Sequence, residues 1–268
     1  MILKIYELPI WLIGLLIAAS LLLAIEVGAW NGRRIRAKPG DVKQARNIAR
    51  NDLEVGALLA LLGLILAFSY SFGLSRLDLR KEALLQETNS ISTAFVRADL
   101  LPEPVRSELR SRLRDYAVTR VLSAEDTRRV SSVLEKVELS QQAQDLLWPT
   151  LKQALDGDIP GHVQMLNIQS INDLLDADTT RNAVGWDRFP LPVFGYLVAL
   201  GALAVAMAAQ NAERKEALSR VRVSVFAFAL ATLIFIIIDF DNSSRGLIQL
   251  NQGPLTDLIE EMEKSLAS

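Results

Sequence analysis

The residues whose types and spacing suggest a function lie on one predicted helix. Asn89, Thr93 and Arg97 are spaced by four positions and therefore share a helix face. An amide, a hydroxyl and a guanidinium in this arrangement would attract anions if the face lined a vestibule. A solvated helix face or a salt bridge between helices is the alternative explanation.

Leu64, Phe68 and Phe72 form a second set with the same spacing, nearer the amino terminus. Around a shared axis these side chains would form apolar rings, and apolar constrictions gate some pores by dewetting. They are therefore candidates for a pore constriction. Ordinary contact with lipid or with a neighbouring helix is the alternative.

A third set of polar residues is a candidate for a structural network: Glu87, Asp99, Asp239, Asp241 and Arg245. Asp239 and Asp241 directly follow an apolar run, and carboxylates at a bilayer edge are costly unless they are paired or hydrated. They either mark the end of a helix or bind arginines, for which Arg76, Arg80 and Arg97 are the candidates.

Enzymatic signals are absent from the sequence. There is no cysteine, His162 is the only histidine, and neither a Gly-x-Ser-x-Gly elbow nor a glycine-rich phosphate loop occurs. The formal net charge is -2, so no basic field points to nucleic acid. We therefore predict no catalytic residue, no metal site, no cofactor and no nucleic-acid partner.

Four charge-free runs are long enough to cross a bilayer, which needs about 20 apolar residues. They are Leu8 to Ile25, Val55 to Ser75, Phe189 to Ala212 and Val223 to Ile238. A signal peptide is an alternative for the first run, and buried helices of a soluble core are an alternative for all four. The preferred prediction is a multi-pass protein of a cell inner (plasma) membrane.

The residues between the second and third runs read as helices throughout. No glycine or proline interrupts Leu74 to Leu101, so the second span should continue beyond the membrane as one helix. Ser123 with Asp126 resembles a capping box for a later helix. The predicted fold class is an all-α membrane protein with four transmembrane helices and a helical domain inserted between the second and third. Its predicted parts are residues 1–75 (two spans and a basic loop), 76–188 (the helical domain), 189–240 (two spans) and 241–268 (a loop and an amphipathic helix).

Basic residues cluster in two short segments, residues 29–54 and 210–222. Short cation-rich loops normally stay in the cytoplasm, which would place the central domain on the opposite side.

Several motifs resemble the bestrophin-like family of bacterial membrane proteins. The run from Glu87 to Pro102 resembles the central motif of that family, and Arg110 to Arg120 resembles its next block, in which Tyr116 and Arg120 match. Glu26 with Gly32-Arg33-Arg34 matches the end of the family's first span. Asp239 to Leu250, followed by Pro254-Leu255, resembles its closing motif, although Asn242-Ser243-Ser244 replaces the usual basic-proline turn.

This resemblance implies a remote relation to bestrophins, which are pentameric anion channels. Leu64, Phe68 and Phe72 would be the positions that match the bestrophin pore neck. Asp239 and Asp241 do not reproduce the acidic calcium clasp, so calcium gating is not implied. The resemblance also implies a cytoplasmic central domain, against the orientation that the basic loops favour, and the side of this domain stays open.

The main functional prediction is a homo-oligomeric, pentameric ion channel with anion preference, whose partners are the bilayer, other copies of the chain and small anions. The alternative is a non-conducting sensor or scaffold, anchored by its spans, whose helical domain binds a partner or ligand.

Overall fold

The fold is built from α-helices. The computed structural model describes residues 9–36, 43–123, 126, 130–155, 157, 159–214, 220–241 and 246–268, and within these ranges the chain contains no strand. Four helical segments of this described part are long and apolar enough to cross a membrane, which confirms the predicted fold class. The α-helices described are α1 (Ile10–Arg36), α2 (Lys43–Arg97), α3 (Val105–Thr119), α4 (Val130–Asp145), α5 (Leu147–Leu155), α6 (Gly161–Trp186), α7 (Leu191–Arg214), α8 (Arg220–Asp241) and α9 (Gly253–Ala267).

Helix α2 is by far the longest element. Its 55 residues extend about 80 Å at 1.5 Å per residue. The helix tightens into a 3₁₀ turn at Ala98–Leu100 and then stops, because Pro102 and Pro104 follow. The second span and the residues beyond it therefore belong to one continuous helix, as the lack of glycine and proline from Leu74 to Leu101 predicted.

The first compact unit comprises residues 1–75 and 189–242. In it α1 packs mainly along α7 and also contacts α8. Its apolar core takes residues from all four of its helices, and the fully or nearly fully buried members include Leu21, Leu62, Leu197, Ala204, Ile234 and Ile237.

Two glycines on α1 allow its close approach to α7. A Cβ added at Gly28 would overlap the carbonyl oxygen of Ala206 and lie 2.9 Å from its Cα. A Cβ at Gly32 would lie 2.8 Å from the carbonyl oxygen of Gln210. The spacing Gly-x-x-x-Gly is the small-residue pattern that brings membrane helices into backbone contact.

The second compact unit comprises residues 76–188 and 243–268. Its core is formed by α2, α3, α5, α6 and α9, with Leu84, Ile91, Leu109, Leu113, Leu151 and Leu174 among the buried residues. The apolar face of α9 enters this core through Leu255, Leu258 and Met262. Just before α9, the side-chain amide of Gln252 makes two hydrogen bonds with the backbone of Leu122, at 2.7 and 2.9 Å.

The predicted capping box is present. The amide of Ser123 donates to the Asp126 carboxylate (2.8 Å), and the amide of Asp126 donates to the Ser123 hydroxyl (3.1 Å). Hydrogen bonding to the Asp126 carboxylate, first from the Ser123 side chain and then from the Ser123 backbone amide, lowers the pKa of Asp126 below its ordinary value. Two amide donors that precede α4 are thereby satisfied without help from distant residues.

Candidate functional site

The face of α2 that carries the predicted constriction is uncovered within one chain. Leu64, Phe68 and Phe72 are 55%, 68% and 50% exposed. The Phe72 ring lies 5.5 Å from that of Phe189, in an edge-to-face contact. In the described part of the chain, no atom lies within 4 Å of a Cβ added at Gly63, the residue before Leu64. The three predicted residues are therefore open to lipid, to another subunit or to a shared axis.

Further along α2, in the second unit, a cleft of about 400 Å³ lies between α2 and α6. Asn89 and Thr93, two members of the predicted polar stripe, line it together with Glu82. Ser170 and Asp173 line it from α6. The cleft therefore brings together a carboxylate from each helix and several uncharged polar groups.

Arg97, the third member of the predicted polar stripe, is not among the residues that line this cleft. Its Nη1 donates to the backbone carbonyl of Leu166 at 3.2 Å, and the side chain is partly buried. Since this contact joins residues 69 positions apart, sequence spacing gave no sign of it. The guanidinium therefore ties the end of α2 to α6.

Glu87 lies at the centre of a buried polar network. Its side chain has no exposed surface and accepts hydrogen bonds from Arg120 Nε (2.6 Å), from the Tyr116 hydroxyl (2.7 Å) and from Arg181 Nη1. Arg120 also pairs with Asp178 at 3.1 Å. Two carboxylates and two guanidinium groups thus balance in charge while joining α2 to α6 and to the end of α3.

The electrostatics of the network follow from burial and pairing. Burial alone would raise the pKa of Glu87, but Arg181 and Arg120 outweigh it and hold this pKa below its ordinary value. For Tyr116, burial and the neighbouring Glu87 carboxylate both raise the pKa of the phenol. The carboxylate therefore stays ionised and the phenol stays protonated across the physiological pH range.

Other residues of the predicted network lie elsewhere. Asp99 pairs at the surface with Arg110 Nη1, at 2.7 Å, and not with the Glu87 cluster. In the first unit both Asp239 and Asp241 are buried, and Asp241 accepts a hydrogen bond from the Phe189 amide at 3.0 Å. Arg245 lies outside the described residues. The pairing of these carboxylates with Arg76, Arg80 or Arg97 stays a prediction.

Sequence reasoning missed the arginine and carboxylate partners contributed by α3 and α6. A signal for one of them existed: Tyr116 and Arg120 continue the buried face of Leu109 and Leu113 at helical spacing. An arginine on an apolar face needs a buried carboxylate partner. Arg181 and Asp178 gave no comparable signal, because α6 is polar on several sides.

The family of this chain follows from a comparison with models of known protein families. A model of the bestrophin-like domain matches residues 39–255, which is most of the chain. The chain belongs to the bestrophin-like family. Membership of this family and the four apolar helices make it a multi-pass membrane protein.

Solved structures give the same fold. A point variant of a bacterial bestrophin homologue from Klebsiella pneumoniae has a TM-score of 0.63 at 13% identity and covers 93% of this chain and 97% of its own. Another structure of a Klebsiella pneumoniae bestrophin homologue gives 0.58 at 15%, over 94% and 95%. A variant described as a membrane protein gives 0.62 at 15%, over 96% and 97%. No curated protein sequence matches the chain.

Proposed function

We propose that this bestrophin-like chain is the subunit of an oligomeric ion channel, with α2 of each subunit arranged around a shared axis. The observation that carries the proposal is the uncovered apolar face of α2 at Leu64, Phe68 and Phe72. Neighbouring copies would enclose this face and form apolar rings along one path. The family resemblance favours five subunits, in the inner membrane of a bacterium.

The finer prediction, a preference for anions, depends on Arg97. Its guanidinium is committed to the Leu166 carbonyl and is partly buried, so its field along the path would be weak. Asp78 and Glu82 are exposed instead. Glu82 follows Leu64 by 18 positions, about five helical turns, and so shares its face. Because rings of carboxylates favour cations, cation preference is the competing proposal.

Two measurements test the channel. The mass of the purified complex in detergent gives the subunit number, and ion flux from liposomes across a salt gradient gives conduction and the sign of the reversal potential. We expect a ring-sized oligomer and a measurable flux. A homogeneous, reconstituted oligomer that carries no ion would contradict conduction.

Two charge variants separate the selectivity proposals. If Arg97 sets the preference, Arg97→Glu inverts the reversal potential and Glu82→Gln leaves it unchanged. If the carboxylates set it, Glu82→Gln shifts the reversal potential toward anions and Arg97→Glu has little effect. Glu261→Gln on α9 is the matched control, since Glu261 is an exposed carboxylate on another element.

The second candidate function is a non-conducting sensor or scaffold. The observation that favours it is the cleft between α2 and α6, whose volume of about 400 Å³ lies within the range of small-molecule sites. A monomer or dimer in detergent, together with absence of flux, would support this candidate over the channel.

A further inference from the structure

The cleft between α2 and α6 has a lining of one charge sign. Among the described residues, the charged side chains of its lining are Glu82 and Asp173, one on each helix, and no described lysine or arginine contributes to it. Both carboxylates are exposed, and neither has an ion-pair partner in the described part of the chain. On a surface where many other carboxylates pair with arginine, two unpaired ones that face the same space produce a local negative potential.

The uncharged lining adds hydrogen-bonding groups. Asn89, Ser90 and Thr93 follow Glu82 along α2, and Gln86 lies one turn after it. Their amide and hydroxyl oxygens accept hydrogen bonds from N–H donors. Leu85 supplies an apolar surface at the same cleft. The lining therefore offers acceptors at the carboxylates and a short hydrocarbon contact beside them.

The composition of the cleft disfavours two ligand classes. An anion would meet two carboxylates and no cation. A directly coordinated metal ion is disfavoured as well, since no group of three or more His, Cys, Asp or Glu is placed to hold one among the described residues. A cation that carries its own N–H donors fits the remaining chemistry.

We propose that this cleft binds a small aliphatic diamine. One ammonium group pairs with Glu82 and the other with Asp173, while the methylene chain contacts Leu85. The amide oxygen of Asn89 and the hydroxyl oxygen of Thr93 accept hydrogen bonds from the remaining N–H groups of the diamine. The site lies within the second unit and requires neither conduction nor a particular subunit number.

The test uses the purified protein in detergent and 1,4-diaminobutane as the probe. Thermal unfolding is measured as diaminobutane is titrated, with magnesium chloride at matched ionic strength as the reference. We expect a saturable rise in Tm with diaminobutane that exceeds the effect of magnesium. Because each carboxylate makes a charge-assisted contact, Glu82→Gln and Asp173→Asn should each weaken the apparent affinity about tenfold.

Matched controls are Asp176→Asn on α6 and Glu261→Gln on α9, both exposed carboxylates outside the cleft lining. Both should bind diaminobutane like the wild type. A Tm rise no larger than that from magnesium, or a rise kept in both cleft variants, would overturn the proposal. Liposome flux is measured separately, so a chain that conducts without binding the diamine, or binds it without conducting, is recognised as such.

Discussion

Glu87, in the second unit, has surroundings that leave little freedom for substitution. It is fully buried and meets two guanidinium groups and a phenol. Glu87→Gln removes the negative charge of the carboxylate, so that Arg120 and Arg181 lose the anionic partner that they share. Breaking a buried pair from one side costs roughly 3–5 kcal/mol, so we expect a large fall in the Tm of the purified protein.

The control for this substitution is Glu103→Gln. Glu103 also contacts an arginine, with its Oε1 2.7 Å from Arg106 Nη2, but at the exposed surface. Exposed pairs contribute little, so the Tm should stay near that of the wild type. Equal Tm values for the two variants would show that the Glu87 network does not stabilise the unit.

The lowered pKa of Glu87 gives a pH dependence with a definite sign. A carboxylate whose folded-state pKa lies below its unfolded value of 4.5 stabilises the fold above pH 4.5, and this contribution is lost as the pH falls through the folded-state pKa. Between neutral pH and 4.5 this group should therefore add no pH dependence. Below pH 4.5 the Tm of the wild type should fall more steeply than that of Glu87→Gln, as measured by unfolding monitored by circular dichroism. Parallel curves for the two proteins in that window would refute the assignment.

At the scale of the element, the contact between α1 and α7 depends on glycine. A Cβ at Gly28 would overlap the Ala206 carbonyl oxygen, and backbone cannot move aside as a flexible side chain does. We expect Gly28→Leu to separate the two helices and to lower the yield of folded protein after detergent extraction. Gly195→Ala, also on a helix of this unit but with no described atom within 4 Å of the added Cβ, should extract like the wild type. Normal extraction of the Gly28 variant would contradict the packing described.

The elements themselves were largely predictable, whereas their contacts were not. Charge-free runs predicted the four spans, and the absence of glycine and proline from Leu74 to Leu101 predicted that α2 continues beyond its span, because both signals are local. The partner of Arg97 was not predictable, since Leu166 contributes only a backbone carbonyl and its position depends on the packing of α6. The cleft carboxylate Asp173 was missed for the same reason: nothing near it in sequence connects it with Glu82.

At the scale of the whole molecule, the channel proposal assigns different surroundings to two exposed phenylalanines. Phe68 on α2 is 68% exposed and Phe228 on α8 is 73% exposed, and both lie in membrane spans. The proposal places Phe68 at the shared axis and Phe228 in lipid. The two positions are therefore a matched pair for substitution.

We expect Phe68→Ser to raise ion flux in liposomes by removing an apolar ring, since hydroxyl groups hold water in a constriction that phenylalanine would dewet. Phe228→Ser should leave flux per reconstituted oligomer unchanged, because a side chain in contact with lipid does not alter the path. Protein per liposome and oligomer mass are measured for both variants, so that a folding defect is not read as a loss of conduction. If both variants conduct like the wild type, Phe68 does not line the path. If Phe228→Ser raises flux and Phe68→Ser does not, α8 and not α2 surrounds the axis.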